Sequence, residues 1–191
     1  MIKQTFFTSD THFRHNNILK YCNRPFKNTD DMDKQIIKNW NSKINPNDDV
    51  YFLGDFTLSN NIEYIENILS QLNGNIYVIK GNHDKGVIKY FNHERQNKDE
   101  KDWLIKEIYD YLQIKINNKT FVLFHYPIED WAWSSNFIHL HGHLHGEYKL
   151  HNHNVQKHDL KNRLDIGIDT NNLFPYSFDD VIAKLEYLYD I

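Results

Sequence analysis

The stretch Ile76-Tyr77-Val78-Ile79-Lys80-Gly81-Asn82-His83-Asp84 carries the pattern on which the whole chain is built. A short aromatic and β-branched apolar run reads as a buried strand. It leads straight into a glycine, an amide, an imidazole and a carboxylate. The same arrangement recurs on either side. Upstream, Thr5-Phe6-Phe7-Thr8 leads into Ser9-Asp10-Thr11-His12, and Val50-Tyr51-Phe52-Leu53 leads into Gly54-Asp55. Downstream, Phe121-Val122-Leu123-Phe124 leads into His125, and Phe137-Ile138 opens the run His139 to His145.

Between these runs lie amphipathic stretches. Met32, Ile36, Ile37, Trp40 and Ile44 share one helical face in 30–44. Ile62, Ile65, Ile68, Leu69 and Leu72 do so in 60–72, with Ser59 as the predicted N-cap and Asn73-Gly74 as the stop. The chain therefore starts β-α-β-α-β, which favours parallel strands covered by helices. After residue 100 the rhythm changes. Ile108 to Ile116 and Thr120 to His125 read as two strands joined at Asn117-Asn118-Lys119, strand-like pieces follow at 137–148 and 163–169, and a last helix starts at Ser177. The expectation is an α/β fold with two packed mixed sheets and helices outside.

Composition narrows the function classes. With 191 residues the expectation is a single domain over 1–191. A chain that is 40% hydrophobic and 15% aromatic folds rather than staying disordered. A net charge of −4 supplies no general basic field, which disfavours duplex DNA as a partner. One cysteine, Cys22, excludes an internal disulfide framework, and with no histidine beside it in sequence it suggests no nucleophile. No long apolar run argues for a membrane span, and the N-terminus lacks a signal-peptide core, so the chain reads as cytoplasmic.

The informative excess is histidine, 12 residues gathered beside Gly and Asp. In α/β sheets ligands bind beyond the carboxyl ends of strands, where five runs here deliver Asp, His or Asn. Oxygen and imidazole donors without thiolate suit Mn, Fe, Zn, Ni or Co. The donors outnumber the positions around one ion, whereas two ions sharing a carboxylate use the set fully.

The ordered set Asp10-x-His12, Gly54-Asp55, Gly81-Asn82-His83-Asp84, His125 and Gly142-His143-Leu144-His145 resembles the calcineurin-like metallophosphoesterase family. Arg24-Pro25-Phe26, His125-Tyr126-Pro127 and the tail from Gly167 to Pro175 resemble its small bacterial and phage members. The resemblance implies a four-layer α/β/β/α sandwich. It also implies two divalent ions, with manganese the first candidate. Asp10, His12 and His145 would hold one, Asn82, His125 and His143 the other, and Asp55 would bridge them. The implied reaction is hydrolysis of a phosphomonoester or phosphodiester by a hydroxide bridging the metals. His83 would bind the phosphoryl group or protonate the leaving oxygen, with Asp84 orienting its imidazole. Gly54, Gly81 and Gly142 would permit sharp turns.

The protein serine/threonine phosphatases of that family continue the second motif with an arginine, where this chain has Phe56-Thr57-Leu58. Arg14 and Arg24 are the substitutes expected to contact phosphate. The expected substrate is a small nucleotide or cyclic nucleotide. Alternatives are a nuclease on short single strands and a catalytically silent metal-binding scaffold. Of the remaining candidates, His139 and His141 read either as support for the site or as packing, and His15 as a residue at its mouth. Trp131, Trp133 and Tyr126 are candidates for stacking on a base. The segment 147–163, with four basic side chains against two acidic, reads as a flap over a nucleotide or as a solvated loop.

Overall fold

The computed structural model describes residues 2–146 and 162–189. The flap expected at 147–163 therefore falls almost wholly outside the described residues.

Four strands form a parallel set, with one register shift between the last two: β1 (Thr5–Thr8), β2 (Asp49–Phe52), β3 (Asn75–Ile79) and β4 (Ile105–Tyr109). Of the remaining strands, β9 (Tyr176–Ser177) lies antiparallel to β1 and completes a sheet of order β4-β3-β2-β1-β9. A second mixed sheet runs β5-β6-β7-β8, from β5 (Leu112–Ile116), β6 (Lys119–Leu123), β7 (Ile138–His141) and β8 (Arg163–Asp165). Only its β5–β6 pair is antiparallel, closed by the Asn117-Asn118 turn. Both turn residues have positive φ, which asparagine tolerates better than most residues.

The helices follow from the sequence pattern. A short α1 (Ile18–Tyr21) precedes α2 (Thr29–Lys43), whose N-cap Asn28 accepts from the Asp31 amide. Asp30 and Asp31 in the first turn and Lys43 in the last complement its dipole. Met32, Ile36, Trp40 and Ile44 then pack with Ile65 and Ile68 of α3 (Ile62–Leu69) on Phe6, Val50, Phe52, Ile76 and Val78. A second core joins the sheets face to face, Phe7, Leu53 and Ile79 against Phe121, Leu123 and Leu140, and α5 (Phe178–Tyr189) adds Val181 and Leu185 to it. Each such side chain contributes roughly 1.5–3 kcal/mol by leaving water. The far face of the second sheet is covered by 126–137, where Trp131 packs against His139 and the Ile128 carbonyl accepts from Arg163.

The structure departs from the sequence reading in four places. Residues 85–102, to which the sequence pattern assigns no element, contain α4 (Lys85–Asn97). It buries only Val87 and Tyr90 as apolar anchors, and its buried Glu94 accepts from the Tyr90 hydroxyl and the Leu104 amide, so its inner face is partly polar. The expected strand 108–116 breaks at Asp110-Tyr111, and its halves join different sheets. Asn61, not Ser59, caps α3; Ser59 instead accepts from the Asn61 amide. The strand expected at 137–148 ends at His141, because the residues after it turn toward Asp10.

Candidate metal centre

The carboxyl ends of β1, β2, β3, β6 and β7 carry the candidate ligands, and the fold brings them together. Asp10, His12 and His145 form one group and Asp55, His125 and His143 another; within each, the donor atoms lie within 4.8 Å of one another. Oδ2 of Asp55 sits between the groups, 3.6 Å from His12 Nε2, 3.6 Å from His125 Nε2 and 3.9 Å from His83 Nε2. The Oδ1 of Asn82 lies 3.1 Å from His125 Nε2, so amide oxygen and imidazole nitrogen converge.

Five of the seven candidate ligands have left-handed backbones: Asp10, His12, Asp55, His143 and His145, with φ between 49° and 71°. Such conformations persist only where surroundings over-determine them, and they cluster at functional sites. The determinants here are explicit. The Asp10 amide donates to the Gly54 carbonyl at 2.9 Å and the His12 amide to the Asp55 carbonyl at 3.0 Å, which laces the first two loops together. The Asp84 carboxylate accepts from the Asp55, Phe56 and Gly81 amides. The His83 amide donates to Asp55 Oδ1, leaving Oδ2 to face the imidazoles. Asp10 in turn accepts from the His143 amide and the Ser9 hydroxyl.

Glycine serves this lacing in two ways. Gly54, with φ 87°, supplies a turn that side chains resist. Gly81 and Gly142 have no such φ. They are needed for space, since a Cβ on Gly81 would meet the Asp55 carboxylate and one on Gly142 would meet the Asp10 carboxylate. The sharp-turn role expected for all three therefore belongs to Gly54 alone.

Electrostatics at the site oppose one another. Burial pushes the Asp10 carboxyl up to about 7. Burial also opposes ionisation of Asp55, but hydrogen bonding and charge from His125, the His83 amide and His12 outweigh it and hold that carboxyl at about 2. His12 is lowered to about 3 by burial and is a neutral imidazole at physiological pH. Both of its ring nitrogens are buried without a hydrogen-bond partner. A neutral imidazole facing two carboxylates without a hydrogen bond has the chemistry of a cation ligand. His125 donates from Nδ1 to the Leu53 carbonyl at 2.7 Å, which leaves its Nε2 lone pair for the site. The donor set of carboxylates, imidazoles and one amide oxygen fits divalent cations.

Other expected residues take different places. Asp84, expected to orient the His83 imidazole, is fully buried and binds three backbone amides, so it shapes the loops. Arg24, expected to contact phosphate, faces inward. Its guanidinium donates to both oxygens of Asp169 and to the carbonyls of Asp10 and Thr11, and its side chain is 1% exposed. Arg14 is exposed, with its guanidinium 5.1 Å from the centre of the Tyr64 ring. His15 is half-buried, its ring 5.4 Å from that of His12. His139 and His141 are buried and bonded to the Val122 and Gly142 carbonyls, which makes them part of the packing. Trp131 is buried and Trp133 is exposed, while Tyr126 alone of the three aromatic candidates has its ring against site imidazoles, His125 and His143.

Sequence reasoning missed Asp169 as a site residue and set Cys22 aside. Cys22, His145 and Asp169 have side-chain ligand atoms within 4.8 Å of one another. The signal that could have found Asp169 is the polar pair it makes with Arg24, but 145 positions separate them.

Among known proteins, the family model for calcineurin-like phosphoesterase matches residues 4–181. The uncharacterized protein MJ1445 of Methanocaldococcus jannaschii is 33% identical over 190 residues, which cover 97% of this chain and 93% of that protein. A protein of unknown function from Aquifex aeolicus, AQ665, known from a crystal structure, superposes with a TM-score of 0.68 at 26% identity, covering 96% of this chain and all of the other. This chain belongs to the calcineurin-like phosphoesterase family.

Proposed function

We propose that the protein is a dinuclear metal-dependent phosphoesterase that hydrolyses a small phosphate ester, with a nucleotide or cyclic nucleotide phosphodiester as the preferred substrate. The observation that carries this reading is the position of Asp55 Oδ2 between two groups of candidate ligands, within 3.6 Å of an imidazole nitrogen from each.

In this reading Asp10, His12 and His145 hold one cation, Asn82, His125 and His143 hold the other, and Asp55 touches both. When bound, a pair of divalent cations supplies Lewis acidity and activates water as a nucleophile. The chain's own groups do the rest. Asp84 and the paired loops hold the ligands before substrate arrives, so little reorganisation remains during reaction. His83 has a partly exposed ring beside Asp55 Oδ2, where it would hydrogen-bond the phosphoryl group or protonate the leaving oxygen. With Arg24 taken up by Asp169, exposed Arg14 is the remaining candidate for a phosphate contact. Tyr126 is 37% exposed and lies against His143 and His125, a ring on which a base would stack within reach of the site.

The test compares metal-free and manganese-loaded protein on p-nitrophenyl phosphate, its bis ester and a panel of cyclic nucleotides. Turnover restored by manganese is expected, with preference for the bis ester and for a cyclic nucleotide. Metal bound at both positions with no turnover on any of them would leave the scaffold reading instead.

A further inference from the structure

We propose that Asp169 and Arg24 are positioning residues for one of the two cation-binding groups, Asp169 by aiming His145 and Arg24 by bracing the peptide that carries Asp10 and His12. The assignment rests on the metal-dependent reading above and extends it to residues that touch neither cation nor substrate.

The geometry is a closed network. The Nδ1 of His145 lies 2.7 Å from Asp169 Oδ2, and its Nε2 lies 3.9 Å from Asp10 Oδ1. With Nδ1 donating to Asp169, Nε2 is the nitrogen turned toward Asp10 and His12, where a cation would take the place of its proton. Asp169 is itself fixed by a bidentate pair with Arg24, Nε to Oδ1 and Nη2 to Oδ2, each at 2.8 Å. Of the remaining guanidinium donors, one goes to the Asp10 carbonyl and one to the Thr11 carbonyl, both at 2.7 Å, and the last to Met32 Sδ at 3.4 Å. One buried arginine thus fastens the peptide between two left-handed ligand residues and, through Asp169, the ring of a third. All three belong to the same group, Asp10, His12 and His145. The second group, Asp55, His125 and His143, has braces of its own in Asp84 and the Leu53 carbonyl, beside the backbone bonds from His12 to Asp55 and from His143 to Asp10 that tie the two groups together.

Cys22, His145 and Asp169 are also close enough to hold a cation of their own. Asp169 Oδ2 already accepts from both Arg24 and His145, and the guanidinium charge stands beside it. The trio therefore supports His145 and is no third cation site.

Cobalt(II) titration of the metal-free protein, followed by calorimetry and visible absorption, tests the assignment. Wild type is expected to bind two equivalents. In Asp169→Asn one equivalent should keep its affinity while the other weakens about 10–100-fold, with its own absorption bands altered. Arg24→Lys keeps the charge, loses the fork and should shift the same equivalent. Unchanged binding of both equivalents in Asp169→Asn overturns the proposal, as does a third wild-type equivalent that Cys22→Ser removes. Should the variants fail to fold, nitrogen-15 NMR of the histidines in zinc-loaded wild type decides. A proton on His145 Nδ1 and none on Nε2 is expected, and the reverse overturns the proposal. Both equivalents bound without any turnover would sink the phosphoesterase reading and leave this assignment standing.

Discussion

His12 Nε2 stands 3.6 Å from Asp55 Oδ2, and neither ring nitrogen of His12 has a hydrogen-bond partner. A buried polar group left unsatisfied costs a fold about 1–3 kcal/mol. On the proposed reading the metal-free protein carries that cost because a cation is the missing partner. Replacing His12 by leucine removes it at similar volume. Metal-free His12→Leu is therefore expected to melt at or above wild type, by about 2–4 °C for each kcal/mol relieved, while cation affinity and turnover collapse. Thermal melts in excess chelator check the first half. A drop of several degrees would mean that the imidazole supports the fold.

On the proposed reading, Asp55 holds cations and His83 handles substrate, and variants of the two test that division. Asp55 Oδ2 faces imidazoles of both groups, and the carboxyl stays ionised down to about pH 2. Asp55→Asn is expected to abolish measurable turnover and lower the occupancy of both cations. His83 is 42% exposed at its side chain, and its backbone amide, which any residue keeps, makes the bond to Asp55 Oδ1. His83→Ala should retain both cations and lose about 10²–10⁴-fold in kcat, the usual contribution of a positioned acid or base. Metal analysis beside steady-state kinetics distinguishes the two variants. Loss of metal from His83→Ala would make that residue a ligand.

Proton release should accompany cation binding, and the direction follows from two opposed shifts. Burial raises Asp10 from 3.8 to about 7, so its ionisation costs the metal-free fold stability as pH climbs through that interval. His145 behaves differently. Burial would lower it, but the hydrogen bond to Asp169, with help from Cys22 and Asp10, raises it from 6.5 to about 10. As a cation it stabilises the metal-free fold fully below about pH 6.5, and that contribution is lost as pH rises through about 10. His12, already neutral, contributes no proton. Loading this group near neutral pH is expected to release roughly one to two protons, from His145 Nε2 and in part from Asp10, with affinity rising with pH. Calorimetry in two buffers of different protonation enthalpy measures the number, and zero release would contradict both shifts.

What the sequence made legible and what it hid divide along a physical line. The strand ends were readable because each apolar run is short and stops abruptly at Asp, His or Asn, so residue type and local pattern agree. The polar inner face of α4 was not, because Glu94 meets the Leu104 and Ile105 amides only once the chain has folded. Asp84 and Arg24 are legible in the sequence as chemically able residues, but their neighbours are not. Charge and size announce that a side chain can bind something, while only the tertiary structure decides that Asp84 meets three amides and Arg24 meets Asp169. Asp169, on the turn after β8, lies in none of the apolar runs that flag the ligands.

Gly142 offers the sharpest test of how tightly the loops are laced. Its backbone needs no glycine-only conformation, so the turn role expected from the sequence does not by itself exclude alanine there. In the fold, an added Cβ would collide with the Asp10 carboxylate and the Ser9 hydroxyl. The Asp10 carboxylate is poorly placed to yield. It is held by the His143 amide, and its own amide is bonded to Gly54. Overpacking of this kind costs about 1–3 kcal/mol, and here the displaced group is a candidate ligand. Gly142→Ala is therefore expected to lower the melting temperature by several degrees and to weaken the cation held by Asp10, His12 and His145 more than the other. Cobalt titration with a thermal melt reads both effects. An alanine variant that keeps wild-type affinity at both positions would show that Asp10 can move aside and that the left-handed loops are looser than their hydrogen bonds imply.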